Sequence, residues 1–315
     1  MDALDRLERE GRLPSVMRPV LVDDGGVEPS AARGVEILWR TGLASSSSDW
    51  LIHALGQLPD LAWVHSDFVG VDNLPLAELV RRAITVTNGA GNYSRPMAEW
   101  VLLAMLSAAK DLPAFVRRSD AAVWDPGREL AELDGAHMLL LGLGSVGQLV
   151  ASMAAPFGLR VTAAVRSSRD TLPTGVDRLV VGEAWRAELA SADFVVCALP
   201  LTPATEGMID EAALDAMKST AWLVNVARGG LIKKDALVDA LDKASIAGAF
   251  LDAFVEEPLP PGHPLWGRDN VIIIPHHTWS SARTWERIDH LFAEQLSRWV
   301  AGVPLANVID PAEGY

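Results

Sequence analysis

Residues 138–169 constrain the chain most, because they read as strand, glycine turn, helix and strand in immediate succession. Met138 to Leu141 is a short apolar run, as suits a strand buried on both faces. Gly142, Gly144 and Gly147 follow as G-x-G-x-x-G, with Leu143, Ser145 and Val146 between them. In such a turn the first glycine permits the tight bend. The second lets backbone approach a pyrophosphate, and the third lets the helix pack close to the strand. Val146, Leu149, Val150 and Met153 then recur at helical spacing, Pro156 and Gly158 close the helix, and Arg160 to Val165 supply the next strand. A strand before the glycines and a helix after them are the context that makes this motif informative. The unit predicts dinucleotide binding, with phosphates on the free N–H groups and positive dipole end of the helix.

The end of the second strand bears on which dinucleotide. An NAD site usually carries Asp or Glu about 20 residues past the motif, on the ribose 2′-OH. This chain has Arg166, Ser167, Ser168 and Arg169 there, and no acid before Asp170. Guanidinium is a forked, permanently charged phosphate binder. NADP(H) is therefore the expected cofactor, with NAD(H) as the lesser option.

Strands alternating with helices recur along the 315 residues, enough chain for two domains. Strands are expected at Pro19–Val22, Val35–Trp39, Leu61–His65 and Ala83–Thr87, and a helix at Asp49–Leu58. Residues 1–18 are a charged lead-in, and Ser45 to Ser48 suit a turn or cap. Pro96 stands near the start of a long apolar helix, Met97 to about Lys110, read as the crossing into a second domain. Beyond the glycine unit, Phe194–Leu199, Trp222–Val226, Ala247–Asp252 and Val271–Ile274 complete a doubly wound parallel sheet. Glu286 to Trp299 is a final helix, expected to cross back to the first domain.

Charge narrows the partners. The formal net charge of −14 disfavours nucleic acid and anionic membrane. No apolar stretch approaches the ~18 residues of a membrane span. The single cysteine, Cys197, lies in a strand, so neither an internal disulfide framework nor a thiol metal site is expected. The charged N-terminus lacks a signal-peptide core, and a cytoplasmic location is the expectation.

Ligands on doubly wound sheets bind at the carboxyl ends of strands. Arg228, Glu257 and His276 each follow a different strand there. Arg binds a carboxylate in two places and polarises a carbonyl. His gives or takes a proton near neutral pH. Glu orients the ring and favours its charged form.

In order and spacing the motifs resemble the D-isomer-specific 2-hydroxyacid dehydrogenase family over nearly the whole chain. The resemblance rests on the glycine turn, Leu199-Pro-Leu-Thr-Pro203, Met217-Lys218, Asn225-Val-Ala-Arg-Gly-Gly230, Asp252-x-Phe-x-x-Glu-Pro258 and Pro275-His276. It implies an α/β fold of two Rossmann-like doubly wound domains. A flavodoxin-like substrate domain, residues 1–100 and 283–315, is split around a dinucleotide-binding domain, 101–282. It implies substrate-carboxylate binding by Arg228 and by the backbone amides of Val69 and Gly70, with His276 as acid/base and Glu257 as its partner. It sets Asp252 near the nicotinamide carboxamide. It passes Leu199, Pro200 and Thr202 under the cofactor and brings Val226 and Ala227 beside it. It also suggests a homodimer built through Met97 to Trp124.

The implied reaction is hydride transfer between NADP(H) and C2 of a small 2-oxo or 2-hydroxy acid. Gln would be expected at position 257 in a formate dehydrogenase. A phosphoglycerate dehydrogenase, or a dinucleotide-sensing binding protein like the corepressor relatives, is the alternative. The chain departs from the family at Arg95-Pro-Met-Ala-Glu99 and after His276, where His277, Thr278 and Trp279 replace the usual small residues. His277 is expected to have no chemical role. Trp279 is expected to wall a larger apolar pocket, for which Phe68, Tyr93 and Trp100 offer surface.

Overall fold

The computed structural model describes residues 3–12, 14, 20, 28, 30–41, 48–71, 73–125 and 129–310. In chain order the elements begin α1 (Ala3–Arg9), β1 (Ile37–Arg40), α2 (Ser48–Gln57), β2 (Trp63–Ser66), α3 (Leu76–Arg81) and β3 (Thr85–Thr87). They continue α4 (Ser94–Ala109), α5 (Leu112–Asp120), β4 (His137–Leu141), α6 (Ser145–Ala154), β5 (Arg160–Val165) and β6 (Arg178–Val181). The remainder are β7 (Phe194–Cys197), α7 (Glu211–Asp215), β8 (Trp222–Asn225), α8 (Lys234–Asp242), β9 (Gly248–Leu251), β10 (Val271–Ile273) and α9 (Thr284–Ala301). The strand expected at Pro19–Val22 and most of the Ser45–Ser48 turn lie outside the described residues.

The chain divides into two compact units, Met1–Tyr93 with Ser281–Tyr315, and Ser94–Ser280. The first division falls before α4, not after residue 100, and the second before residue 281, not after 282. The cause of the first shift is packing. The helix expected from Met97 starts at Ser94, and Ala98, Val101 and Met105 are buried in one cluster with Val150 and Ala154 of α6.

In the first unit β1, β2 and β3 form a parallel sheet in that order. Side chains alternate between its faces. Leu38, Val64 and Val86 pack with Leu51 and Leu55 of α2 and Leu79 of α3. Ile37, Trp39 and Trp63 turn the other way, onto Phe292 and Leu296 of α9 and Leu7 of α1. Trp39 stacks on Phe292 at 3.8 Å between ring centroids.

The second unit is a seven-stranded parallel sheet in the order β10-β9-β8-β7-β4-β5-β6. The chain reverses its direction of strand addition between β4 and β7, where such sheets bind ligands. Met138, Leu140, Phe194, Val196, Val224 and Phe250 face α4 and α6. Leu139, Leu141, Val195, Leu223 and Leu251 face α7 and α8. Both faces are buried, which explains apolar runs without alternation. Burying each Leu, Val or Phe is worth about 1.5–3 kcal/mol. One strand, β6, was not expected; its apolar run, Leu179 to Val181, is only three residues long and lies at the sheet edge with only Val180 buried.

Candidate active site

The glycine turn joins β4 to α6 at the switch point of the second unit. Gly142 has φ 100°, and a Cβ there would lie 2.5 Å from the Ala198 carbonyl oxygen. A Cβ at Gly147 would collide with the Gly142 carbonyl oxygen, so those two glycines are required by the chain's own packing. A Cβ at Gly144 meets no protein atom within 4 Å, leaving room for a group from outside the chain. Gly144 caps α6 with no side-chain hydrogen bond, and the first N–H groups of a helix have no intrahelical acceptor. Leu143 is buried and Ser145 and Val146 are half-buried. These features fit the pyrophosphate of a dinucleotide.

The loop after β5 reaches this turn. Arg169 Nη2 donates to the Leu143 carbonyl at 3.1 Å, and Gln148 Nε2 donates to the same oxygen at 3.1 Å. Arg166, Ser167 and Ser168 stand exposed beside it. Across the switch point, the loop after β7 closes on itself. Thr205 Oγ1 donates to the Pro200 carbonyl at 2.7 Å and accepts from the Thr202 N–H at 2.8 Å. Leu199 Cβ would lie 2.8 Å from a Cβ on Gly142, so this loop abuts the glycine turn.

Arg228, Glu257 and His276 follow β8, β9 and β10, which are neighbours in the sheet. Asn225, fully buried at the end of β8, accepts from the Ala227 N–H at 3.1 Å and donates to the Arg228 carbonyl at 2.9 Å. This side chain shapes the turn that presents Arg228. An Asn at a strand end followed by glycines is the available signal for such a turn. Val226 is buried and Ala227 half-buried within it. The Arg228 guanidinium donates to the Ala227 carbonyl at 2.9 Å.

Glu257 Oε2 lies 2.7 Å from His276 Nδ1, and Oε1 accepts from the Phe254 N–H at 2.8 Å. A carboxylate only accepts, so Nδ1 carries a proton and Nε2 is the nitrogen available for exchange. The His276 backbone has φ 48°, a left-handed conformation that costs a non-glycine residue about 1–3 kcal/mol. Asp252, which the family resemblance sets near the nicotinamide, is buried with its carboxylate turned to this loop. Its Oδ1 accepts from the N–H groups of His277 at 2.8 Å and Thr278 at 3.1 Å. Its Oδ2 accepts from the Thr278 hydroxyl at 2.5 Å. Trp279, half-buried, donates its indole N–H to the His276 carbonyl at 3.0 Å. The exposed His277 ring meets the Trp279 ring edge-on at 5.4 Å.

Val69 and Gly70 belong to the first unit, in the half-buried loop after β2. Residues after β3 pin that loop. Asn88 Nδ2 donates to the Val69 carbonyl at 3.0 Å, Gly89 N–H to the Phe68 carbonyl at 3.0 Å, and Asn92 Nδ2 to the Asp67 carbonyl at 3.2 Å. The Phe68 ring has the Arg40 guanidinium 5.2 Å above it and lies 6.5 Å from Tyr93. Trp100, expected to share an apolar surface with them, belongs to the other unit and packs on Phe250 at 6.0 Å.

Burial perturbs the Cys197, Tyr93 and His65 side chains. It pushes the Cys197 thiol up to about 12, which leaves the thiol protonated and inert. It raises the Tyr93 phenol, with the Asp67 charge adding to the effect. It lowers His65 to about 4; that ring is enclosed in the first unit, with Nδ1 2.8 Å from Thr87 Oγ1. Among the described residues no cluster of His, Cys, Asp and Glu could hold a metal ion, and no helix is long and apolar enough to cross a membrane.

Comparison with known proteins agrees with this geometry. Residues 102–278 match the family described as D-isomer specific 2-hydroxyacid dehydrogenase, NAD binding domain. A glyoxylate reductase of Korarchaeum cryptofilum is 33% identical over 259 residues, covering 80% of this chain and 77% of its own. The human glyoxylate reductase/hydroxypyruvate reductase is 32% identical over 244 residues, covering 76% and 74%. The crystal structure of a D-isomer specific 2-hydroxyacid dehydrogenase from Xanthobacter autotrophicus, in complex with NADPH and MES, superposes with a TM-score of 0.83 at 30% identity. That superposition covers 100% of this chain and 95% of the other.

Proposed function

The chain belongs to the D-isomer-specific 2-hydroxyacid dehydrogenase family, and on that premise we propose that it reduces small 2-oxo acids to D-2-hydroxy acids with NADPH. The observation that carries the proposal is the Glu257–His276 pair, 2.7 Å apart, at the carboxyl edge of the strands that also present Arg228. Relatives named as glyoxylate and hydroxypyruvate reductases support acids of that size.

In this reading residues 94–280 are the dinucleotide-binding domain and the other unit is the substrate domain. Gly142 to Gly147 and the start of α6 hold the pyrophosphate, with the Leu199–Thr202 loop and the Val226–Ala227 turn alongside. When bound, the nicotinamide supplies the hydride to C2, or takes it in the reverse direction. Arg228 fixes the substrate carboxylate; positioning of this kind can supply several kcal/mol of the barrier. As C2 is reduced its oxygen gains negative charge, which Arg228 offsets. His276 gives that oxygen the proton on Nε2, and Glu257 stabilises the charged imidazole beforehand.

Preference for NADPH is supported by the two arginines and absent acid at 166–169 and by the neighbour holding NADPH. A cytoplasmic setting is consistent with a lone buried cysteine. We further assign a homodimer through Met97–Trp124, supported by Leu112, Val116, Val123 and Trp124, which is 93% exposed. Sedimentation of the wild type and Trp124→Glu tests it. The activity is tested by oxidation of NADPH and NADH with a panel of 2-oxo acids; no turnover with any acid overturns it.

A further inference from the structure

Three consecutive residues after β10 are gripped by one residue after β9. The Asp252 carbonyl accepts from the His276 N–H at 2.9 Å. The Asp252 carboxylate takes the N–H groups of His277 and Thr278 on one oxygen and the Thr278 hydroxyl on the other. Asp252 is 2% exposed and Thr278 is fully buried, so water does not compete for these bonds. A buried carboxylate depends on donors from the protein. Thr278 provides the side-chain donor at Oδ2. A residue without a hydroxyl at this position would leave only the two backbone donors at Oδ1.

The grip bears directly on His276. Its left-handed φ of 48° persists only where the surroundings over-determine it. Glu257 holds the ring from one side, and the Trp279 indole holds the His276 carbonyl from the other. The Asp252–Thr278 bond closes the turn beneath both.

We propose that Thr278 is a positioning residue, whose hydroxyl bond to Asp252 locks the 276–279 turn so that the His276 imidazole stays on Glu257 with Nε2 presented for proton transfer. The rate consequence rests on the reaction assigned above; the lock itself does not. A proton donor displaced by ~1 Å loses on the order of 10²-fold in rate.

Thr278→Val removes the hydroxyl at nearly constant volume, and Thr278→Ser keeps it. With NADPH and the best acid of the panel, Thr278→Val should lose about 10- to 100-fold in kcat while its KM for NADPH stays within about twofold. Thr278→Ser should restore most of kcat. Hydrogen–deuterium exchange, run without cofactor or substrate, should rise in Thr278→Val only in the peptide spanning 274–280. Wild-type kcat together with wild-type protection in Thr278→Val overturns the proposal. So does faster exchange spread over the whole sheet, which would mark general destabilisation. A wild-type chain inert towards every acid removes the reaction instead, and the exchange comparison then decides the lock alone.

Discussion

Glu257 divides its carboxylate between the backbone and a ring: Oε1 accepts from the Phe254 N–H at 2.8 Å while Oε2 meets His276 Nδ1 at 2.7 Å. The first bond fixes the carboxylate, so the second fixes the imidazole. His276→Ala should therefore cut kcat by about 10²–10⁴, the usual span for a general acid, with NADPH binding retained. His277 contributes its backbone N–H to Asp252 and points its ring at Trp279. His277→Ala should keep most of the activity, and steady-state kinetics of the two variants side by side check the assignment. A larger loss in His277→Ala would reverse it.

The two arginines after β5 are not equivalent. Arg169 is bonded to the Leu143 carbonyl within the glycine turn. Arg166 stands exposed on the loop where a 2′-phosphate is expected. Arg166→Ala should lower kcat/KM for NADPH by about 10- to 100-fold, the worth of a charged hydrogen bond, and leave NADH nearly unchanged. Arg169→Ala should lower efficiency with both coenzymes, because the turn itself loosens. Equal efficiency of the wild type with NADPH and NADH would contradict the NADP assignment.

Trp279 has two functions to separate, its ring and its N–H, since the indole donates to the His276 carbonyl at 3.0 Å. Trp279→Phe keeps an aromatic wall and loses the bond; its effect should be similar for all acids. Trp279→Ala should additionally lower kcat/KM for branched or aromatic 2-oxo acids by about tenfold relative to glyoxylate, from lost apolar burial. Rising activity on bulky acids in Trp279→Ala would identify the ring as a size filter.

His65 makes stability depend on pH. Burial lowers it in the folded chain to about 4, against about 6.5 for a histidine in the unfolded chain. Between these values the unfolded chain binds the proton and the folded chain does not. Stability is therefore full above pH ~6.5 and falls on acidification towards pH ~4 by an amount on the order of 3 kcal/mol. Urea midpoints of the wild type and His65→Gln at pH 7 and pH 5 test this; the variant should lose less on acidification. Equal losses would show that other groups set the acid limit.

Local sequence carried the cofactor fold, because its signals are short-range. The spacing of Gly142, Gly144 and Gly147 lies within six residues, and the strands buried on both faces are uninterrupted apolar runs. Arg228, Glu257 and His276 could be singled out as candidates because each follows such a run, and the roles proposed for them came from the family motifs. What sequence did not reveal is carried by contacts between distant segments. The edge strand β6 has one buried residue and takes its form from pairing with β5. The domain division moved to residue 93 because α4 packs on α6. The bonds of Asp252 to the 276–278 turn depend on the register that sets β10 beside β9. That register aligns Leu251 with Ile273 and so brings Asp252 to the turn at His276. A residue's type limits the bonds it can make, but only the packed sheet decides which partner, some 25 residues away, is within reach.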